Sequence, residues 1–411
     1  MDRYVGTVVR GIRTPIIKEG DNLCDIVVDS LLKAKESEGF EFKDKDIVAV
    51  TEAVVSISDG NYVSIDEIAE DIRNKFPSGD IGIVFPILSR NRFSMILKSI
   101  ARGVNTITIQ LSYPSDEVGN HLFDDSLLDK YNINPYSDTL TLEEYNKYFG
   151  NITHTFTGVN YVKFYTEVCE KENCKVDFVF SNNPKTILNY TKDVLACDIH
   201  TRSKTKEILK NNGGRTIYGL DDIMCQSING SRYNLKYGLL GSNKSTEERL
   251  KLFPTSGEKL VHDIQNKLKE ITGKKIEVMV YGDGAFKDPV GRIWELADPV
   301  VSPAYTEGLE GTPNEIKLKY ISDNKYDNLR GKELEDAIKE EIKHKDNDLK
   351  GKNTSLGTTP RKLTDLIGSL CDLTSGSGDK GTPVVFIQGY FDNYASVSYT
   401  HLRAHETELH L

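Results

Sequence analysis

KVDFVFSNNPKTILNYTKDVLACDIHTRSKTKEILKNNGGRTIYGL, residues 175–220, decides the fold class. KVDFVFS (175–181), DVLACD (193–198) and RTIYGL (215–220) are short β-branched and apolar runs of strand length. Between them lie a segment opening on Pro184 and the charged stretch KTKEILK (204–210), both suited to helix. A strand that must return in the same direction needs a long crossover, usually helical, so this alternation predicts a parallel sheet with helices packed on it.

Outward from that segment the pattern is more mixed. Toward the N-terminus, Asp21 is placed to cap a helix through LCDIVVDSLLKA (23–34), and DIVAVTEAVVSI (46–57) reads as a buried strand or tight strand pair. Ser64 and Glu67 form a capping box for a short helix ending near Phe76. IGIVF (81–85), RFSMILKSIA (92–101) and VNTITIQLS (104–112) make a strand–helix–strand unit. Residues 112–157 are rich in Ser, Asn, Asp and Tyr and read as loops around one helix at LEEYNKYF (142–149). Toward the C-terminus, Thr255-Ser256-Gly257-Glu258 opens an amphipathic helix to Thr272, and a buried strand leads into VMVYGDGAFKDPVG (278–291). Residues 321–360 carry many charges on a thin apolar stripe and read as a surface excursion before the strand PVVFIQG (383–389).

The resulting expectation is an α+β (mixed α/β) protein with a parallel β-α-β segment around 175–220. Its parts divide as 1–111, an inserted or second α/β region at 112–230, a core stretch at 231–320, the excursion at 321–360 and a return to the core at 361–395. The chain has 411 residues, 38 % hydrophobic and 28 % charged, which suits a folded globular protein of this size. A formal charge of -10 without a long basic run argues against a nucleic-acid partner. No run is long and apolar enough for a membrane span, and the N-terminus lacks a signal-peptide pattern, so a cytoplasmic location is expected. Six cysteines without a CxxC pair read as reduced thiols.

Several strand ends carry chemistry-bearing groups. Asp283 follows a buried strand between Gly282 and Gly284, a place where a carboxylate can hold a divalent cation against phosphates; Lys287 and Asp288 follow closely. The plain alternative is a tight turn with Asp283 and Asp288 capping backbone amides. LSYPSDEVGN (111–120) offers Ser112, Ser115 and Asp116 as phosphate or metal contacts, or as an ordinary polar turn. Asp198, His200 and Arg202 stand just after a strand, where Arg and His suit an anionic substrate and the alternative is an exposed helix start. TSGSGDKGTP (374–383) does not match the phosphate-loop pattern.

In order along the chain, these segments resemble the coenzyme F-420 γ-glutamyl ligase family over most of residues 10–390. GIRTPIIKEGDNLCDIV (11–27) resembles the family's opening, and DIVAVTEAVVSISDGNYV (46–63), containing Ser56, its strand pair. VMVYGDGAFKDPVG stands where the family has a strand ending in Ser-Asp-Thr, and GSGDKGTPVVFIQGY (376–390) resembles its closing segment. The resemblance implies a glutamate-ligase-like fold, a homodimer and two divalent cations, magnesium or manganese. It implies GTP as co-substrate for joining L-glutamate to a small acidic acceptor through an acyl phosphate. On that basis Asp283 and Lys287 are candidate catalytic residues. Asp283, Asp288, Asp116 and Asp198 are candidate metal ligands, and Ser56, Ser112, Ser115, His200, Arg202, Ser242 and Asn243 candidate substrate or nucleotide contacts. The chain departs from the family at Ala53 and Ile57, where the family has lysines, and at Leu240 in YGLLGSN (237–243), where it has an aspartate. Either Asp198 or Asp116 is then expected to supply the missing charge, or the chemistry has drifted. The alternatives are a metal-dependent phosphohydrolase and a non-catalytic nucleotide-binding homologue.

VSYTHLRAHET (397–407) resembles a translated sequencing-library adapter, so residues 396–411 are expected to be a non-native tail, with the natural chain ending near Tyr394. His401 and His405 imitate a metal helix, but Leu402 stands where HExxH needs glutamate.

Overall fold

The computed structural model describes residues 4–154, 157–283, 298–355, 361–375 and 379–396. In chain order the strands are β1 (Val8–Ile12), β2 (Ile47–Thr51), β3 (Tyr62–Ser64), β4 (Asp80–Val84), β5 (Thr106–Leu111), β6 (Leu140–Thr141) and β7 (Lys175–Phe180). They continue as β8 (Asp193–Ala196), β9 (Thr216–Gly219), β10 (Asn243–Thr246), β11 (Arg249–Lys251), β12 (Glu277–Tyr281), β13 (Ala304–Tyr305) and β14 (Val384–Gln388). They build three sheets, and with the helices between them the class is α+β.

The parallel sheet expected from residues 175–220 is present, in the order β6-β7-β5-β4-β8-β9, parallel throughout except where the short β6 pairs with β7. The strand–helix–strand unit of residues 81–112 joins it as β4 and β5. Both faces of its central strands are buried: Ile83, Val84, Ile107 and Ile109 have no exposed surface. Residues 112–157 hold more structure than their polar composition suggests. Helix Ser126–Tyr131 buries Leu128 and helix Leu142–Phe149 buries Tyr145 and Phe149, with Phe123 stacked on Phe149 at 3.8 Å and Tyr145 on Phe180 at 4.1 Å. Aromatic burial outweighs the cost of ordering the loops around them.

A second sheet, in the order β1-β14-β2-β12-β13, brings together strands from both ends of the chain. Only β2 and β12 are parallel, so their carboxyl ends leave the sheet side by side, Thr51 opposite Tyr281. Helices Leu23–Glu38 and Gly257–Thr272 cover one face of it, and Leu363–Ser375 the other. The chain leaves this core along β3 and re-enters along β11, which pair antiparallel with Ser64 opposite Arg249. Everything between them forms the lobe of the parallel sheet.

Local caps follow the sequence in part. Ser64 and Glu67 make the expected capping box. The first long helix is capped by Asn22, not Asp21, whose carboxylate instead accepts the Lys18 amide at 2.7 Å. Ser256 turns its hydroxyl to Asp59 at 2.7 Å and does not cap the helix it precedes. Residues 46–57 are not a strand pair: after β2 the chain becomes a helix, Glu52–Ser58. Its β-branched residues have only mild objections to helix, and Val55 is fully buried in the core below it. In the excursion, helices Leu318–Asn324 and Gly331–Lys343 close over a small cluster of Ile321, Ile338 and Ile342.

Asp46 ties β2 to β14. Its buried carboxylate accepts the Lys43 amide at 2.7 Å and the Gln388 side-chain amide at 2.9 Å. Burial pushes this carboxyl up to about 6, with those two hydrogen bonds opposing. An unfolded aspartate titrates near about 3.9, so the folded protein holds this proton more tightly. The stability this contributes is complete below that value and is lost as pH rises through about 6. Asp46→Asn, which keeps an acceptor for both donors, is expected to gain roughly 1–3 kcal/mol on the parent between pH 4 and pH 7. Urea unfolding across that range measures it; a difference that does not change with pH refutes the burial cost.

Candidate functional site

The carboxyl ends of β2 and β12 open onto a cleft of about 510 Å³. Parallel strands put ligands at this edge, because the loops that follow them diverge and expose backbone and side-chain groups together. Glu52 follows β2 directly, and Gly282 and Asp283 follow β12. A side chain at Gly282 would collide with the Asp298 carboxylate, so close packing requires glycine there. Ile16, Ala53, Val54 and Ile57 make one wall apolar, and Asp283, Asp372 and Thr382 make another polar.

The charge at this edge is set by a residue from the other lobe. Arg92, just ahead of helix Phe93–Gly103, donates from one guanidinium nitrogen to Asp298 Oδ1 and from another to Asp283 Oδ2, both at 2.7 Å. The Asp283 amide donates to Asp298 Oδ2 at 2.8 Å, so the two aspartates are joined through backbone as well. Asp298 is wholly buried, whereas Asp283 keeps 30 % of its side chain exposed. Burial alone would pull the Arg92 pKa down; Asp298 and Asp283 more than offset this and raise it. Close by, Glu52 is buried and paired with Lys251 of β11 at 3.3 Å. Burial pushes the Glu52 carboxyl up, Lys251 opposes that, and Asp298 adds to it. Three carboxylates, a guanidinium and a lysine amine therefore share the junction of the lobes.

This donor set fits a guanidinium better than a resident metal. Both aspartates already serve Arg92, and among the described residues no group of three His, Cys, Asp or Glu is arranged to hold an ion. Lys287 and Asp288 lie outside the described residues.

The remaining predicted residues separate. Ser56 is buried in helix Glu52–Ser58, its hydroxyl without a hydrogen-bond partner. Ser242 borders a small internal space of about 20 Å³ beside Arg92 and Leu240, and Asn243 begins β10. Leu240 packs into the core of the parallel-sheet lobe, which explains an apolar residue there. Ser112, Ser115, Asp116 and Asp198 line a different cleft, at the edge of the parallel sheet. Neither aspartate supplies the charge missing at Leu240. Asp116 is buried and spends its carboxylate on the amides of Leu88, Val118 and Asn120 and on the Asn120 side chain. It holds a loop, although burial pushes it up to about 6. Asp198 accepts the hydroxyls of Thr201 and Thr205, both at 2.7 Å. His200 is exposed, with its amide on Glu117, and Arg202 is spent on Asp221 at 2.8 Å and on the Ile199 carbonyl. Arg92, Glu52 and Lys251 carry no motif, and nothing in the local sequence around them marks a site.

Among known families, the model of F420-0:Gamma-glutamyl ligase matches residues 11–389. The chain belongs to that family, so its ligase ancestry covers both lobes and not the core sheet alone. No curated protein matches it significantly.

Removing Arg92 leaves a buried aspartate without its counter-charge. Arg92→Ala is expected to lose about 3–5 kcal/mol in denaturant unfolding, and adding Asp298→Asn should recover a large part of it. Additive losses in the double variant would show that the pair does not couple the lobes.

Proposed function

We propose, with membership of that ligase family as the premise, that this chain joins the amine of L-glutamate to a carboxyl group of an acidic acceptor in the cleft at β2 and β12. The observation that carries this is Asp283, partly exposed on the cleft wall and held through one oxygen by Arg92. GTP enters as its magnesium or manganese complex, the metal arriving with the substrate. An acceptor carboxylate oxygen attacks the γ-phosphorus, the bond to the bridging oxygen breaks, and GDP leaves. The glutamate amine then attacks the acyl carbon, the bond to the phosphate oxygen breaks, and inorganic phosphate and one proton leave. Asp283 holds the glutamate ammonium and takes a proton from it, which frees the amine to attack. Arg92 orients that carboxylate, and Asp298 fixes Arg92 in turn.

Ala53 and Ile57 make the acceptor wall apolar. Two lysines fewer than the family pattern remove anchors for phosphate groups, so the acceptor carries less negative charge than the phosphorylated deazaflavin. Phosphate release is expected only when glutamate, GTP and a carboxylate acceptor are all present, with ATP run alongside as donor. Asp283→Asn should lower it by about 100-fold or more without unfolding the protein. Release without an acceptor would convert the reading to a phosphohydrolase. Nucleotide affinity with no release would mark a binding protein.

A further inference from the structure

The parallel-sheet lobe has an edge of its own. The chain runs outward from β4 through β5 to β7, then crosses to β8 and β9 on the other side. Between β4 and β8 the order therefore reverses, and the loops leaving those two strands part. A cleft of about 350 Å³ lies there, bordered by Phe85 after β4, Ser112 and Glu117 after β5, Asn182 after β7, and Asp198 and Thr201 after β8. It shares no lining residue with the cleft at β2 and β12.

Two buried acceptors near this edge have no donor among the described residues, and one of them, Asp198, lines the cleft. Asp198 is fully buried on the cleft wall; Thr201 and Thr205 both donate to its Oδ2, and Oδ1 receives nothing. Gln110, equally buried at the end of β5, donates its amide nitrogen to the carbonyls of Ser181 and Asn183, at 3.0 and 2.9 Å. That fixes which way the amide points and leaves its Oε1 without a donor. An unsatisfied buried acceptor costs about 1–3 kcal/mol, so Asp198 Oδ1, on the cleft wall, calls for a partner that brings hydrogens.

The position that would favour an anion is already filled. At the start of helix Arg202–Asn211 the Glu117 carboxylate accepts the amides of Ile199 and His200. Among the described residues no lysine or arginine lines the cleft, and Arg202 is spent on Asp221. Three acidic residues, Asp116, Glu117 and Asp198, and the aromatic side chains of Phe85, Tyr113 and Tyr136 together suit a cation with an apolar body.

We infer that this cleft is a second ligand site, distinct from the ligase cleft, and that it takes a small organic amine whose ammonium reaches Asp198. The inference does not depend on the ligase reading. Calorimetry on the full chain with 1,4-diaminobutane should show a single site, weakened at least 10-fold in Asp198→Asn and unchanged in Asp283→Asn. Ser115→Lys, which places an ammonium in the cleft, should abolish binding even if Asp198→Asn does not fold. The inference is overturned by no diamine binding to the parent, by equal binding in both cleft variants, or by inorganic phosphate competing with the diamine. Loss of binding in Asp283→Asn would move the amine to the ligase cleft and also overturn it.

Discussion

Arg92 lies between two aspartates at the junction of the lobes, and the geometry of the core edge follows from that pairing. A guanidinium withdrawn from water is tolerated only when its charge and its donors are both met, and a buried carboxylate has the same requirement. Asp298 has no exposed surface on its side chain, so without Arg92 it would be a buried carboxylate with no counter-charge and only the Asp283 amide to meet it. The contact also forces Gly282, since any side chain there would displace the Asp298 carboxylate. It holds Asp283 at the cleft wall with 30 % of its side chain exposed. Core and parallel-sheet lobe are thus each incomplete electrostatically, and they complete one another at the place where substrates would enter.

The covalent route between the lobes reinforces that contact. The chain leaves along β3 and returns along β11, so the two crossings are a hydrogen-bonded pair and not two independent linkers. Asn61 and Asn234, one from each side of the seam, donate side-chain amides to the same Phe253 carbonyl, at 3.0 and 2.9 Å. Lys251, on the returning strand, meets Glu52 at the head of the helix after β2. A hinge at such a seam would have to break backbone pairing and a buried ion pair together. The relation between the two strand edges is consequently rigid on the scale of side-chain motion.

Much of the fold was readable because its signals are local. The capping box of Ser64 and Glu67 depends on residues three apart, and the strands of residues 175–220 declare themselves through runs of β-branched residues separated by helix-forming stretches. Residues 52–58 misled because helix and strand differ little in intrinsic preference for such residues, and burial of Val55 against the core settled the matter. The aromatic packing within 112–157 was hidden for a related reason. Its rings are far apart in sequence and meet only after the loops have folded.

The sequence by itself determined the class, the parallel sheet, most helix starts and, through the order of several weak motifs, the family to which the chain belongs. It also singled out Asp283, because a carboxylate between glycines at a strand end is a local pattern. Only the tertiary structure decided what surrounds that carboxylate. Arg92 is 191 positions from Asp283, and Glu52 is 199 from Lys251. Charge pairing acts through space and leaves no periodicity along the chain, so no local reading could join them. For the same reason Asp116 and Asp198, acids in promising turns, proved to belong to a different edge: strand order, which spacing does not encode, assigns each carboxylate to its cleft.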